Sequence, residues 1–123
     1  MAATYDNLPV FKACYDLLFV VIAWCAKMTK DFRYTIGEEL KRRLIDVEIA
    51  IYRANSEKSK EGKIENIYRA QELMVEVKLY IRILHDAKQL STKHYAMASQ
   101  MIVEVDKHLM AWRKYNLICD MCL

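Results

Sequence analysis

Lys78 and Arg82 stand four residues apart, so a helix places both cations on one flank, one turn from each other. Like charges at that spacing cost roughly 0.2–0.5 kcal/mol unless an anion relieves them, which points to an anion-binding use. Cys119-Asp-Met-Cys122 has the spacing of a zinc ligand pair, but it stands alone, and a structural zinc site needs four ligands. Chance spacing is the expectation there. His108 falls on an apolar seam, which suits a hydrogen-bonded core or interface histidine, while His85 and His94 flank a turn and are expected to face solvent without a role. None of Glu39, Glu48, Glu72, Glu76 or Glu104 is followed three residues later by a histidine, as a di-iron bundle requires. There is no phosphate-cradling glycine loop, no Gly-x-Ser-x-Gly and no His-Glu-x-x-His. The chemistry expected is therefore binding rather than catalysis, with no cofactor and no metal.

Other cations extend the lead. Lys41, Arg42 and Arg43 spread around one helix start, and Lys93, Gln100, Lys107 and Lys114 recur every seventh residue, hence as one stripe, beside Arg113. The net charge of +3 and a pI of 8.6 permit an anionic partner without demanding one, since nucleic-acid binders usually exceed a pI of ~9. Two readings stay open: an ordinary solvated helix face, or an anion-binding surface that gains strength if copies assemble and multiply the patch. Single-strand binders interleave such cations with stacking rings. Tyr34, Tyr52, Tyr68, Tyr80 and Tyr95 fall mostly beside apolar seams, so packing is their expected use.

The elements that must position these residues are helices. One Pro and two Gly in 123 residues, with long apolar periodicities, predict a single all-α domain, residues 1–123, folded as an up-down-up-down antiparallel four-helix bundle. Its helices are expected over about 9–28, 36–54, 63–87 and 92–115. The first seam reads Phe11, Cys14, Leu18, Val21, Cys25 and Met28; the second Leu40, Leu44, Val47, Ile51 and Ala54. The third reads Ile67, Ala70, Met74, Val77, Ile81 and Leu84; the fourth Ala98, Met101, Val105, His108, Trp112 and Tyr115, widened by Ile102 and Leu109. Thr35 and Glu38 have capping-box spacing, Ser91 is a cap for the last helix, and 55–62 reads as a charged loop. Residues 1–7 and 115–123 are expected to be tails.

Two helices are apolar on a second side. Phe19, Ile22 and Trp24 in the first, and Leu79 and Ile83 in the third, lie off their seams and need cover, which predicts an oligomer interface. The run Leu17 to Ala26 is about half of what spans a bilayer, so no membrane insertion is expected. No signal peptide is evident and the four cysteines suggest no disulfide framework, so a reduced, cytoplasmic protein is expected.

The stretch Val77-Lys-Leu-Tyr-Ile-Arg-Ile-Leu-His-Asp-Ala-Lys-Gln-Leu-Ser91, then Tyr95, then Ile102 to Trp112 ending in Trp-Arg-Lys, resembles the C-terminal half of Avd, the accessory variability determinant of diversity-generating retroelements. It also resembles the four-helix proteins encoded in 23S rRNA intervening sequences. The likeness runs from about Leu8 to Tyr115, with Asp106-Lys107-His108 where many relatives have Gly-Arg-Met. It implies a four-helix bundle in a homopentameric ring that binds a reverse transcriptase and nucleic acid, RNA or cDNA, through basic surfaces. Lys78 and Arg82 match the family's basic-x-x-x-Arg, Leu90 and Ser91 its helix start, and Trp112 and Arg113 its terminal tryptophan and basic follower. The predicted nucleic-acid contacts are thus Lys78, Arg82, Lys107, Arg113, Lys114, Arg42 and Arg43. The intervening-sequence branch, read as a protein-only assembly module, remains the alternative.

Overall fold

Pro9, with its φ already set for a helix, opens α1 (Pro9–Cys25), whose inward stripe is Val10, Cys14, Leu17, Leu18, Val21 and Cys25. The computed structural model describes residues 7–121, with side chains through residue 118. α1 stops three residues short of the expected end, and a contact sixty residues away along the chain then fixes the start of the next turn. The Gln89 side-chain oxygen accepts the Thr29 N–H at 2.9 Å and the Thr29 hydroxyl at 3.2 Å, which holds Thr29 extended at ψ 155°. The chain then makes a short helix that the periodicity did not announce, α2 (Lys30–Arg33), and Arg33 ties it back by donating to the Met28 carbonyl at 3.2 Å.

The expected capping box does not form. Thr35 has φ −118° and ψ −94°, outside the extended region that capping needs, and its hydroxyl donates to the Asp31 carbonyl instead. Glu38 pairs with Lys41 at 3.3 Å. α3 (Ile36–Ser56) nonetheless starts where expected. α4 (Lys60–Asp86) begins three residues early, because Ser59 accepts the Gly62 N–H at 3.0 Å and caps a first turn taken from the supposed loop. Ser91 caps α5 (Thr92–Met121) as expected, accepting the His94 N–H at 3.1 Å. α5 also continues as helix well past residue 115, where a frayed tail was expected.

Every regular element among the described residues is a helix, and the four long ones enclose a common core. Neighbours are α1 with α3, α3 with α4, α4 with α5, and α5 with α1, which puts α1 and α4 on one diagonal. Side-chain contacts run in opposite senses along adjacent helices: Cys14 reaches Leu44 while Cys25 reaches Gly37, and Lys78 meets Asp106 while Arg113 meets Gln71. The second and third seams are buried throughout, from Leu40 to Ala54 and from Ile67 to Leu84. The fourth is not. Its buried line is Ala98, Ile102, Val105 and Leu109, ending on Asn116, whose amide is satisfied by the Trp112 carbonyl at 2.9 Å. His108 is half-buried and Tyr115 is exposed. A strict seven-residue repeat drifts by ~20° per heptad on a straight helix, and over two heptads that carries the row Met101, His108 and Tyr115 away from the core.

Candidate functional site

The cations proposed from spacing divide into two groups once their surroundings are known. Lys78 stands on the α5 side of α4, where its ammonium meets the Asp106 carboxylate at 2.6 Å. Arg82, one turn on, donates to Asp86 at 3.0 Å, and this bond, then the one from His85, holds the Asp86 carboxyl below its ordinary range. The cost that the two cations impose on each other is therefore already met by the chain's own carboxylates. Arg43, half-buried, donates to Glu76 and pairs with Glu39, each at 3.2 Å, locking α3 to α4. Arg113 donates to Gln71 at 3.2 Å and lies 5.1 Å over the Tyr68 ring. It braces α4 against α5.

Lys107 and Lys114 differ: both are exposed and, among the described residues, neither has an acidic partner. Lys93 shares that condition, so the stripe runs Lys93, Gln100, Lys107 and Lys114 with a step of about 10.5 Å, winding ~20° round α5 at each step. Exposed Val103 and Met110 run beside it. Arg42 is likewise exposed without an acidic partner among the described residues, on α3 and away from this line. The structure does not gather the seven proposed contacts into one patch. Three of them form ion pairs inside the chain, and Lys107 and Lys114 on α5 have no acidic partner among the described residues.

The five proposed interface residues are also sorted. Phe19 and Ile22 are exposed on the α3 side of α1, and Leu79 is exposed on α4 with Ile83 half-buried nearby. These are two patches on diagonal helices. Trp24 is occupied within the chain, stacked on the His94 ring at 4.7 Å between centroids. His85 stacks on Tyr95 at 4.4 Å, so both histidines expected to face solvent are packed against rings.

Sequence reasoning missed one residue. Glu48 lies at the base of a groove between α1 and α3, only 8% exposed, and neither carboxyl oxygen has a hydrogen-bond partner. Burial pushes it up to about 8, opposed by the adjacent Cys14 thiol, which donates to the Leu44 carbonyl at 3.9 Å but can turn its proton toward the carboxyl. The available signal was a glutamate one residue beyond the seam position Val47, on the edge of an otherwise apolar stripe.

Among the described residues, no group of three or more His, Cys, Asp or Glu could hold a metal, and no helix is long and apolar enough to cross a membrane. The Cys119–Cys122 pair lies outside the described side chains. No family model, no curated protein and no solved structure matches the chain.

Proposed function

We propose that the chain is a non-enzymatic accessory protein that assembles into a homo-oligomeric ring and holds nucleic acid along α5. The resemblance to Avd supplies the setting: a diversity-generating retroelement in the cytoplasm, a pentameric ring, a reverse transcriptase as protein partner, and template RNA or cDNA as the anion. The observation that carries the reading is the line Lys93, Lys107 and Lys114, exposed and without acidic partners among the described residues. Cations already paired with carboxylates must give up an ion pair, at a small cost where water screens it, before they meet a phosphate; these need not. Repeated round a ring, a modest net charge becomes a strong local field. Two apolar patches on diagonal helices suit a head-to-tail contact, which gives a ring where its rotation closes, better than a two-fold contact, which uses one patch twice.

The test is fluorescence anisotropy with single-stranded RNA at rising salt. Affinity should fall steeply, the slope counting the phosphates engaged, and Lys93→Gln, Lys107→Gln and Lys114→Gln together should flatten it. Binding that ignores both salt and the triple variant would refute the interface. A second reading, an assembly module that contacts only protein, draws support from the internal pairing of Lys78, Arg82 and Arg43. It predicts no salt-sensitive nucleic acid in the purified protein and a protein-like ratio of 260 to 280 nm absorbance.

A further inference from the structure

The groove between α1 and α3 has an apolar wall with one polar group in its floor. Phe11 and Tyr15 line one side and Ile45, Ile49 and Tyr52 the other, round a space of about 330 Å³. Glu48 closes the bottom with both oxygens unpartnered. A buried carboxyl in that condition is costly until an occupant brings it a donor or a cation. Exposed Phe19 and Ile22 prolong the wall along α1, so that from Tyr15 to Ile22 it spans about 10 Å, or two helical turns. That is the form in which two helices receive a third.

The chain carries a matching helix on the opposite corner. α4 turns Val75, Leu79 and Arg82 outward at i, i+4 and i+7, a ridge of two apolar side chains followed by a cation. The carboxylate that Arg82 engages is Asp86, in a pair open to water on both sides, which solvent makes cheap to exchange. We infer that the α1–α3 groove receives the Val75, Leu79 and Arg82 ridge of a second copy of the chain, with that copy's Arg82 against Glu48. The inference rests on the self-assembly proposed above and names the surfaces that perform it. Groove against groove, the two-fold alternative, would bring no cation to Glu48 and would leave the Arg82 ridge uncovered. Groove against ridge satisfies both, and because the two lie on diagonal helices each copy can give and receive at once.

The experiment uses two full-length variants, Ile49→Lys in the groove and Leu79→Lys on the ridge, both at exposed positions so that each folds, as a circular dichroism melt verifies. By light scattering at micromolar concentration each alone should be monomeric. Their equimolar mixture should give one-to-one dimers and nothing larger, since one intact groove then meets one intact ridge. A mixture that stays monomeric, or a variant that assembles like the parent, overturns the inference. Glu48→Gln and Arg82→Gln should each weaken association about tenfold and the double variant no further; additive losses would refute the Glu48–Arg82 contact. A parent that is itself monomeric refutes the self-assembly reading, whereas an assembling parent whose variants fail to complement refutes only the groove and ridge.

Discussion

Lys78 Nζ lies 2.6 Å from Asp106 Oδ2, joining α4 to α5 across the outer edge of their contact. The lysine is half exposed and the aspartate about a quarter exposed, so water screens the pair. Lys78→Gln should therefore lower stability by at most about 1 kcal/mol, and Asp106→Asn by a similar amount, the usual range for such bridges. Chemical denaturation of each variant and of the double variant measures this. A loss of several kcal/mol would mean that the pair holds the two helices together.

The same relationship sets a ranking for nucleic-acid binding. Lys78→Glu with Arg82→Glu removes cations that already face Asp106 and Asp86, whereas the Lys93, Lys107 and Lys114 triple variant removes cations that face water. The triple neutralisation should cost RNA affinity more, roughly tenfold or greater at low salt, and should reduce the salt slope by about one unit for each phosphate no longer engaged. If the α4 pair proves the more damaging by anisotropy, the α5 interface is wrong.

Glu48 gives the fold a pH dependence of unusual sign. Its carboxyl titrates near 4.5 in the unfolded chain and near 8 when folded, because burial disfavours the charged form. Between those values the folded state holds the extra proton, so stability falls as pH rises through the window and levels off above it. Buried Cys14 and Cys25, both raised chiefly by burial, extend the fall at more alkaline pH. In the Leu79→Lys background, to exclude effects of assembly, Glu48→Gln should flatten the profile from pH 5 to 8 and add about 1–2 kcal/mol at pH 8. Melts across that range decide; an unchanged slope would mean that the carboxyl is solvated.

Lys88 occupies the left-handed region at φ 63°, just beyond the end of α4. The Gln89 N–H donates to the Leu84 carbonyl at 2.8 Å and the Lys88 N–H to the His85 carbonyl at 3.0 Å, the paired bonds of a Schellman turn. Glycine suits that position better than any side chain. Lys88→Gly should stabilise the protein by about 0.5–1 kcal/mol, the left-handed strain relieved less the extra freedom of the unfolded chain. Thermal unfolding tests it, and a destabilised variant would show that the lysine side chain contributes more than its backbone costs.

The apolar repeats by themselves determined that this chain makes four long helices and which faces of α3 and α4 turn inward, because burying a stripe of leucine, isoleucine and valine outweighs every local alternative. They also marked Phe19 and Leu79 as apolar residues in excess of the core. Tertiary structure decided the rest through contacts between residues distant in sequence. Gln89 grips Thr29 where α2 begins, Asp106 neutralises Lys78, and His94 covers Trp24, and none of these partners lies within reach of a helical repeat. Spacing along one helix shows which side chains share a flank, but the charge and cover that reach that flank come from the neighbouring helix. So the cations legible at Lys78 and Arg82 proved internally paired, those on α5 stayed open, and Glu48, one residue past the seam, became the polar floor of a groove only when α1 closed over α3.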